Sequence, residues 1–268
     1  MGGMYKLNPS NLNLPDESLR LQIKELAGGV RYRYAKKGLS DIFDILSEEA
    51  FLIRVPLKTI QISGFSTYFE KHFVVYLNSS FTLGHERFSG AHELYHIMFN
   101  ADILKREKLL LNDLQNEEDD KANIFASEFL MPEDYVKELF YKIVNLEPEN
   151  ILPRHVIRMN NNLKVSYKAM LKRLIQLQLC STDKYNELLE ICSLENAERL
   201  QTLTNKEGYD LSLITKSKVA YIPKQYIEFV KSNYENNAIS FNNMKNCLEF
   251  LGLTTEQLGY EYPKEEDY

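Results

Sequence analysis

Apolar residues recur along the chain with two different periods. From Glu17 to about Leu46 they fall at helical spacing, with interruptions near Gly28-Gly29 and Gly38. Ser40 stands where it can cap a further helix carrying Ile42, Phe43, Ile45 and Leu46. After Ala50 the period shortens. FLIRVPL (51–57), TIQISGF (59–65) and KHFVVYLNSS (71–80) are short, β-rich and bounded by turn residues, so they predict a small sheet. Helical spacing resumes near Glu86 and runs to about Asn100. It returns after a polar, acidic stretch in NEEDDKANIFASEFLMP (116–132) and again over 133–145. Pro148 and Pro153 bound a loop; the next helical stretch runs to about Leu179, and KVSYKAMLKRLIQLQL is its strongest part. TKSKVAYIPKQYIEFVKSNY begins extended and becomes helical, and ISFNNMKNCLEFLGL reads as a helix with Gly252 near its end. Residues 8–16 form an irregular lead-in, and YPKEEDY a loose charged tail. The pattern predicts an α+β chain, mainly helical, with a small β-sheet directly before the helix near 86–100.

Composition narrows the picture. The 268 residues, with 44% hydrophobic and 26% charged, suffice for a sizeable core. A net charge of −6 disfavours nonspecific nucleic-acid or anionic-membrane binding as the main activity. Three cysteines, Cys180, Cys192 and Cys247, with no CxxC pair, are neither a disulfide framework nor a thiolate metal site. MGGMYKLNPS lacks the basic-then-apolar pattern of a leader, and runs such as FVVYL are far too short to span a bilayer. The expectation is a soluble, cytoplasmic protein.

The chemistry lies in GAHELYH (90–96). On a helix His92 and His96 sit about 40° apart around the axis, so their imidazoles can converge on one ion. Glu93 is turned by about 100° and can flank an open coordination position without being a ligand. This is the HExxH pattern of zinc hydrolases, in which the glutamate serves as general base for attack on a peptide carbonyl. The alternative is a core helix whose histidines are satisfied by ordinary hydrogen bonds. Phe88, Ala91, Leu94, Tyr95, Ile97 and Met98 make the helix apolar nearly all round, and two imidazoles and a carboxylate with nothing to bind would be costly inside it.

A catalytic zinc usually has three protein ligands. Of the other histidines, His85 reads as exposed or capping, His72 as a solvated strand position, and His155 as a loop residue with no required role. The acidic run at 117–120 is the better source, although acids at a helix start can also be plain first-turn residues. On that helix Asp119 shares a face with Ala122, Asn123, Ala126 and Leu130, whereas Glu118 shares one with Phe125 and Phe129. Small residues on the Asp119 face permit close approach to a neighbour, and Asn123 is placed to hydrogen-bond a ligating side chain. Asp119 is therefore the first candidate for third ligand and Glu118 the alternative. An aspartate has roughly 1.5 Å less reach than a glutamate, which demands closer helix packing.

ERFSGAHELYH (86–96) and DDKANIFASEFLMP (119–132), in this order and spacing, resemble the paired motifs of the ImmA/IrrE metallo-endopeptidases. FVVYLNSS (73–80) looks like the strand before that family's active helix, and VSYKAMLKRLIQL (165–177) like its helix-turn-helix-like follow-on; roughly residues 40–180 are covered. The resemblance implies a zincin-like fold, His92 and His96 as ligands to Zn2+, Glu93 as general base, and Asp119 at the position of the family's third ligand, a glutamate. The family's glycine before the second histidine is Tyr95 here. It implies the arrangement of an N-terminal helical segment (1–50), a metallopeptidase core (51–180) and a C-terminal accessory region (181–268). It further implies a substrate: a transcriptional repressor or other DNA-binding regulator, as encoded on mobile elements or in stress responses.

The leading expectation is thus a zinc-dependent endopeptidase of narrow specificity, with the strand near 73–77 as an edge for an extended substrate. Two others stand beside it. One is a zincin-fold module that captures a regulator or senses a signal without efficient cleavage. The other takes residues 162–178 as a DNA-reading helix using Lys164, Lys168, Lys172 and Arg173, which the acidic whole disfavours.

Overall fold

The computed structural model describes residues 16–57, 62–69, 71–107, 109–110, 117–144, 150–193, 196–249 and 252–262. The lead-in over 8–15 and the tail beyond Tyr262 lie outside the described residues. The architecture is α+β and mainly helical.

Helix α1 spans Glu17–Ala35 and passes through Gly28-Gly29 without the predicted interruption. Each glycine costs about 1 kcal/mol in a helix. Burial outweighs that cost, because Ile23, Ala27, Val30 and Tyr34 form one stripe sunk in the core. Arg31 also donates to the carbonyl of Glu128, fastening α1 across the chain. Helix α2 (Ile42–Glu49) is capped by Asp41, not Ser40: the Asp41 carboxylate accepts from the amide of Phe43 at 3.0 Å. The same carboxylate binds Arg87 at 2.6 Å through its other oxygen, a charge-assisted contact that a neutral serine hydroxyl does not match.

Strands β1 (Phe51–Val55), β2 (Gly64–Phe69), β3 (His72–Asn78) and β4 (Leu109–Leu110) form one sheet in the order β1-β3-β2-β4. β3 runs parallel to β1 and antiparallel to β2. The stretch 73–77, expected as an edge, is therefore interior, hydrogen-bonded on both sides, and offers no edge to a substrate. The far side of β1 meets Tyr221: Arg54 and Tyr221 exchange two backbone hydrogen bonds of 2.7 and 2.8 Å.

Helix α3 (Leu83–Phe99) starts one turn earlier than its hydrophobic pattern suggests, because Thr82 caps it by accepting from the amide of His85. It is buried on nearly every side, including Glu86 and Arg87. Glu86 is satisfied by Arg54 through two contacts of 2.7 and 3.2 Å, and the Arg54 guanidinium lies 3.6 Å from the centre of the Phe43 ring. Helices α4 (Ala101–Glu107), α5 (Glu117–Leu130), α6 (Glu133–Val144), α7 (Pro153–Leu163) and α8 (Tyr167–Gln176) follow. α5 packs on both α1 and α3, and its fully buried Ala122 and Ala126 allow the close approach expected of them.

The segment expected as one helix over 162–178 is two. Lys164 takes a left-handed conformation (φ 54°) that ends α7, and Ser166 caps α8. Arg173 does not face a nucleic acid. It is buried, donating to Glu128 at 2.6 Å and to the Met131 carbonyl at 3.0 Å, while Arg20 reaches the other oxygen of Glu128. Beyond lie α9 (Thr182–Leu189), α10 (Ala197–Lys206), α11 (Lys224–Glu235) and α12 (Phe241–Glu249). One core runs from Ile23 to Leu200; a second, small one gathers Val230, Phe241, Met244 and Leu248.

The start of α3 rests against the α7–α8 turn. A Cβ on Gly84 would stand 2.4 Å from the backbone nitrogen of Ser166. Gly84→Ala should therefore destabilise the fold by about 1–3 kcal/mol despite alanine's better helix propensity. Gly29→Ala, on an open helix face, should stabilise it by up to about 1 kcal/mol. Urea denaturation midpoints check both, and two shifts of the same sign would contradict the packing described.

Candidate metal centre

Three side chains converge where α3 meets α5. His92 and His96 face each other with their Nε2 atoms 3.1 Å apart, and Asp119 Oδ1 lies 3.8 Å from the first and 3.4 Å from the second. His92 and His96 come from adjacent turns of α3, and Asp119 from the first turn of α5. Tetrahedral ligands held about 2.0–2.1 Å from zinc stand about 3.3–3.4 Å from one another. The observed triangle has that size, so the donor set fits a divalent cation of that kind.

Charge points the same way. Burial lowers the affinity of His92 for a proton, and it holds His96 down to about 4, helped by the neighbouring His92. Both imidazoles are neutral at pH 7, the form that donates a lone pair. Asp119 is pushed upward by burial and by Asp120 and Glu118. Two neutral imidazoles and a carboxylate among acids form a site deficient in positive charge.

Hydrogen bonds aim the ligating atoms. His92 Nδ1 lies 3.1 Å from Asn123 Oδ1; donation along this contact leaves Nε2 as the free lone pair. Asn123, singled out in the sequence as a hydrogen-bonding neighbour of a ligating side chain, lies against His92. His96 Nδ1 lies 3.1 Å from the side-chain amide nitrogen of Asn100, the residue that ends α3; donation from that nitrogen places the ring proton on Nε2, so ligation through Nε2 needs the Asn100 amide turned to present its oxygen. Glu118, the alternative ligand, is turned elsewhere: it accepts from the Tyr95 hydroxyl at 3.1 Å and from Lys121 at 2.8 Å.

Glu93 sits beside the triangle, almost wholly buried, and accepts from the Ser66 hydroxyl at 2.5 Å. Burial raises its carboxyl to about 8, against the Ser66 bond and with the Asp119 charge adding to the rise. Gly64 of β2 packs tightly beside it: a Cβ there would meet the Tyr76 carbonyl oxygen at 2.9 Å and stand 3.6 Å from Glu93 Cγ. A cleft of about 310 Å³ opens above, lined by Ser63, Gly64, His85, Phe88, Asp120 and Asn123 around His92, Glu93 and Asp119.

The remaining histidines fall in three places. His72 is exposed, as expected. His155 accepts from the amide of Leu152 at the start of α7 and serves that helix end. His85 departs from the expected exposed or capping position: it lines the cleft, stacked on Phe81 with centroids 4.3 Å apart and 2.9 Å from Ser63 Oγ. Ser66 and Asn100 were not singled out by sequence. Asn100, four residues after His96, was detectable by helical spacing; Ser66 comes from a strand 27 residues before Glu93 and carries no local signal.

Residues 49–174, running from the end of α2 into α8 and covering just under half of the chain, match the model of the IrrE N-terminal-like domain, the peptidase M78 family. The resemblance drawn from the two motifs is thereby borne out. No curated protein is similar to the chain.

A divalent cation held by this triangle will be lost from Asp119→Ala and kept by Glu118→Ala, as read by elemental analysis of the purified variants. Equal loss from both would contradict the donor set.

Proposed function

We propose, on the premise that residues 49–174 form an IrrE N-terminal-like peptidase domain, that this chain is a zinc-dependent endopeptidase of narrow specificity. The observation that carries this reading is the convergence of His92, His96 and Asp119 within 4.8 Å, with Glu93 alongside in an open cleft. The same premise supports, through the family resemblance alone, a transcriptional repressor or other DNA-binding regulator as the substrate. No described helix is long and apolar enough to cross a membrane.

Bound zinc would supply the Lewis acidity that brings a water proton within reach of a carboxylate near neutral pH. Each protein group then has a task. His92, His96 and Asp119 hold the metal. Asn123 and Asn100 fix the rotation of the two imidazoles. Glu93 takes the proton from water as it attacks the substrate carbonyl, and returns it to the leaving amine. Ser66 anchors Glu93 Oε2, which leaves Oε1 for that transfer. With its carboxyl raised to about 8, Glu93 is mostly protonated at neutral pH in the metal-free protein, and the positive charge of a bound cation would restore the carboxylate that a base requires.

Glu93→Gln should retain a full complement of zinc while cleavage of a co-expressed repressor, read on a gel, falls at least about 100-fold. Persistent cleavage would remove Glu93 as the base. Capture of the repressor by the wild-type protein without any cleavage would replace the enzyme with a binding module. His92→Ala should lose the metal, and stripped wild-type protein should gain several degrees of Tm on zinc addition where His92→Ala gains none.

A further inference from the structure

The cleft continues beyond the metal centre. His85, Phe88, Asp120 and Asn123 line both it and a larger groove of about 830 Å³ between α1, α5 and α8, so the two form one depression. Much of the charge along the groove is already matched. Arg20 binds Glu17 at 2.8 Å and Glu128 at 3.1 Å, and Arg173 binds Glu128 at 2.6 Å. The rest is segregated by position. Asp120 lies at the end shared with the metal centre and Asp16 at the start of α1, whereas Lys168 and Lys172 stand one turn apart on α8.

These two lysines make no ion pair with any described carboxylate, and both keep solvent access. Their mutual repulsion is felt: desolvation first, then the Lys168 charge, holds the Lys172 ammonium below the ordinary lysine range. Lys168 also adds to the burial that depresses His85, which places its charge near the junction of cleft and groove. Ser166, which caps α8, lines the same groove, so the positive end of that helix adds to the field.

We infer that this groove takes the substrate chain on one side of the scissile bond, and that Lys168 and Lys172 recognise an acidic side chain of it. The inference rests on the endopeptidase reading and deepens it by naming a class of substrate sequence. Along α3, His85 precedes His92 by two turns, about 10.5 Å. An extended chain advances about 3.3 Å per residue, so it reaches His85 after about three residues and the lysines within one or two more. The acidic side chain therefore belongs roughly three to five residues from the scissile bond. Asp120, at the near end, repels an acid any closer to the metal centre and confines the preference to the far positions.

The test uses the full-length, zinc-loaded protein, a proteome-derived peptide library and mass spectrometry of the cut ends. Asp and Glu should be enriched about fivefold at one position three to five residues from the cut, as one exposed ion pair provides. The double variant Lys168→Glu/Lys172→Glu should shift that position to Lys and Arg at an unchanged zinc content. No acidic enrichment, or the same enrichment in both proteins, overturns the inference. If the wild type cuts neither the library nor the co-expressed repressor, the endopeptidase reading fails by itself, and library peptides retained on the Glu93→Gln protein decide the groove. Acidic peptides retained there but not by the same protein with both lysines reversed support the assignment; equal retention overturns it.

Discussion

A helix buried on nearly all sides can carry charged and polar side chains only where each meets a partner, and α3 is built under that constraint. Glu86 meets Arg54, Arg87 meets Asp41, Glu93 meets Ser66, and His92 meets Asn123. An unpaired buried charge costs several kcal/mol, so these contacts cannot be exchanged casually. What the described residues do not place between the two imidazoles and Asp119 is a cationic side chain. The centre is deficient in the one thing a divalent cation brings.

The rest of the architecture serves to hold that helix still. The sheet supplies Arg54 from β1 and Ser66 from β2; α2 supplies its cap residue Asp41; α5 supplies Asp119 and Asn123. α5 is itself locked by Arg20 and Arg173 on Glu128, so α1 and α8 reach the site at one remove. A glycine at 84 lets the beginning of α3 lie against the turn between α7 and α8. Elements far apart in sequence are thereby committed to one geometry, and the cleft and its groove follow from it.

Local periodicity accounts for what was legible beforehand. His92 and His96 share a face because of helical spacing alone, and Asp119 was separable from Glu118 because one side of α5 carries alanines and the other phenylalanines. The two motifs sufficed for the resemblance that the match over residues 49–174 bears out. Errors arose wherever a long-range contact decided. α1 survives its two glycines because its opposite face is buried. Asp41 takes the cap from Ser40 because Arg87 needs the carboxylate. The strand at 73–77 becomes interior because β1 joins it in parallel, which no short-range pattern reveals. Arg173, basic on a basic-looking helix, turns inward because Glu128 waits there. Ser66 was invisible for the same reason.

What occupies the space between His92, His96 and Asp119 decides between a metal centre and a plain polar cluster. Crystals of the zinc-supplemented protein, measured on both sides of the zinc absorption edge, give the most direct answer. The account predicts a single strong anomalous peak about 2.0–2.2 Å from His92 Nε2, His96 Nε2 and an Asp119 oxygen. A peak bound elsewhere, or none at this position at full zinc loading, would contradict it.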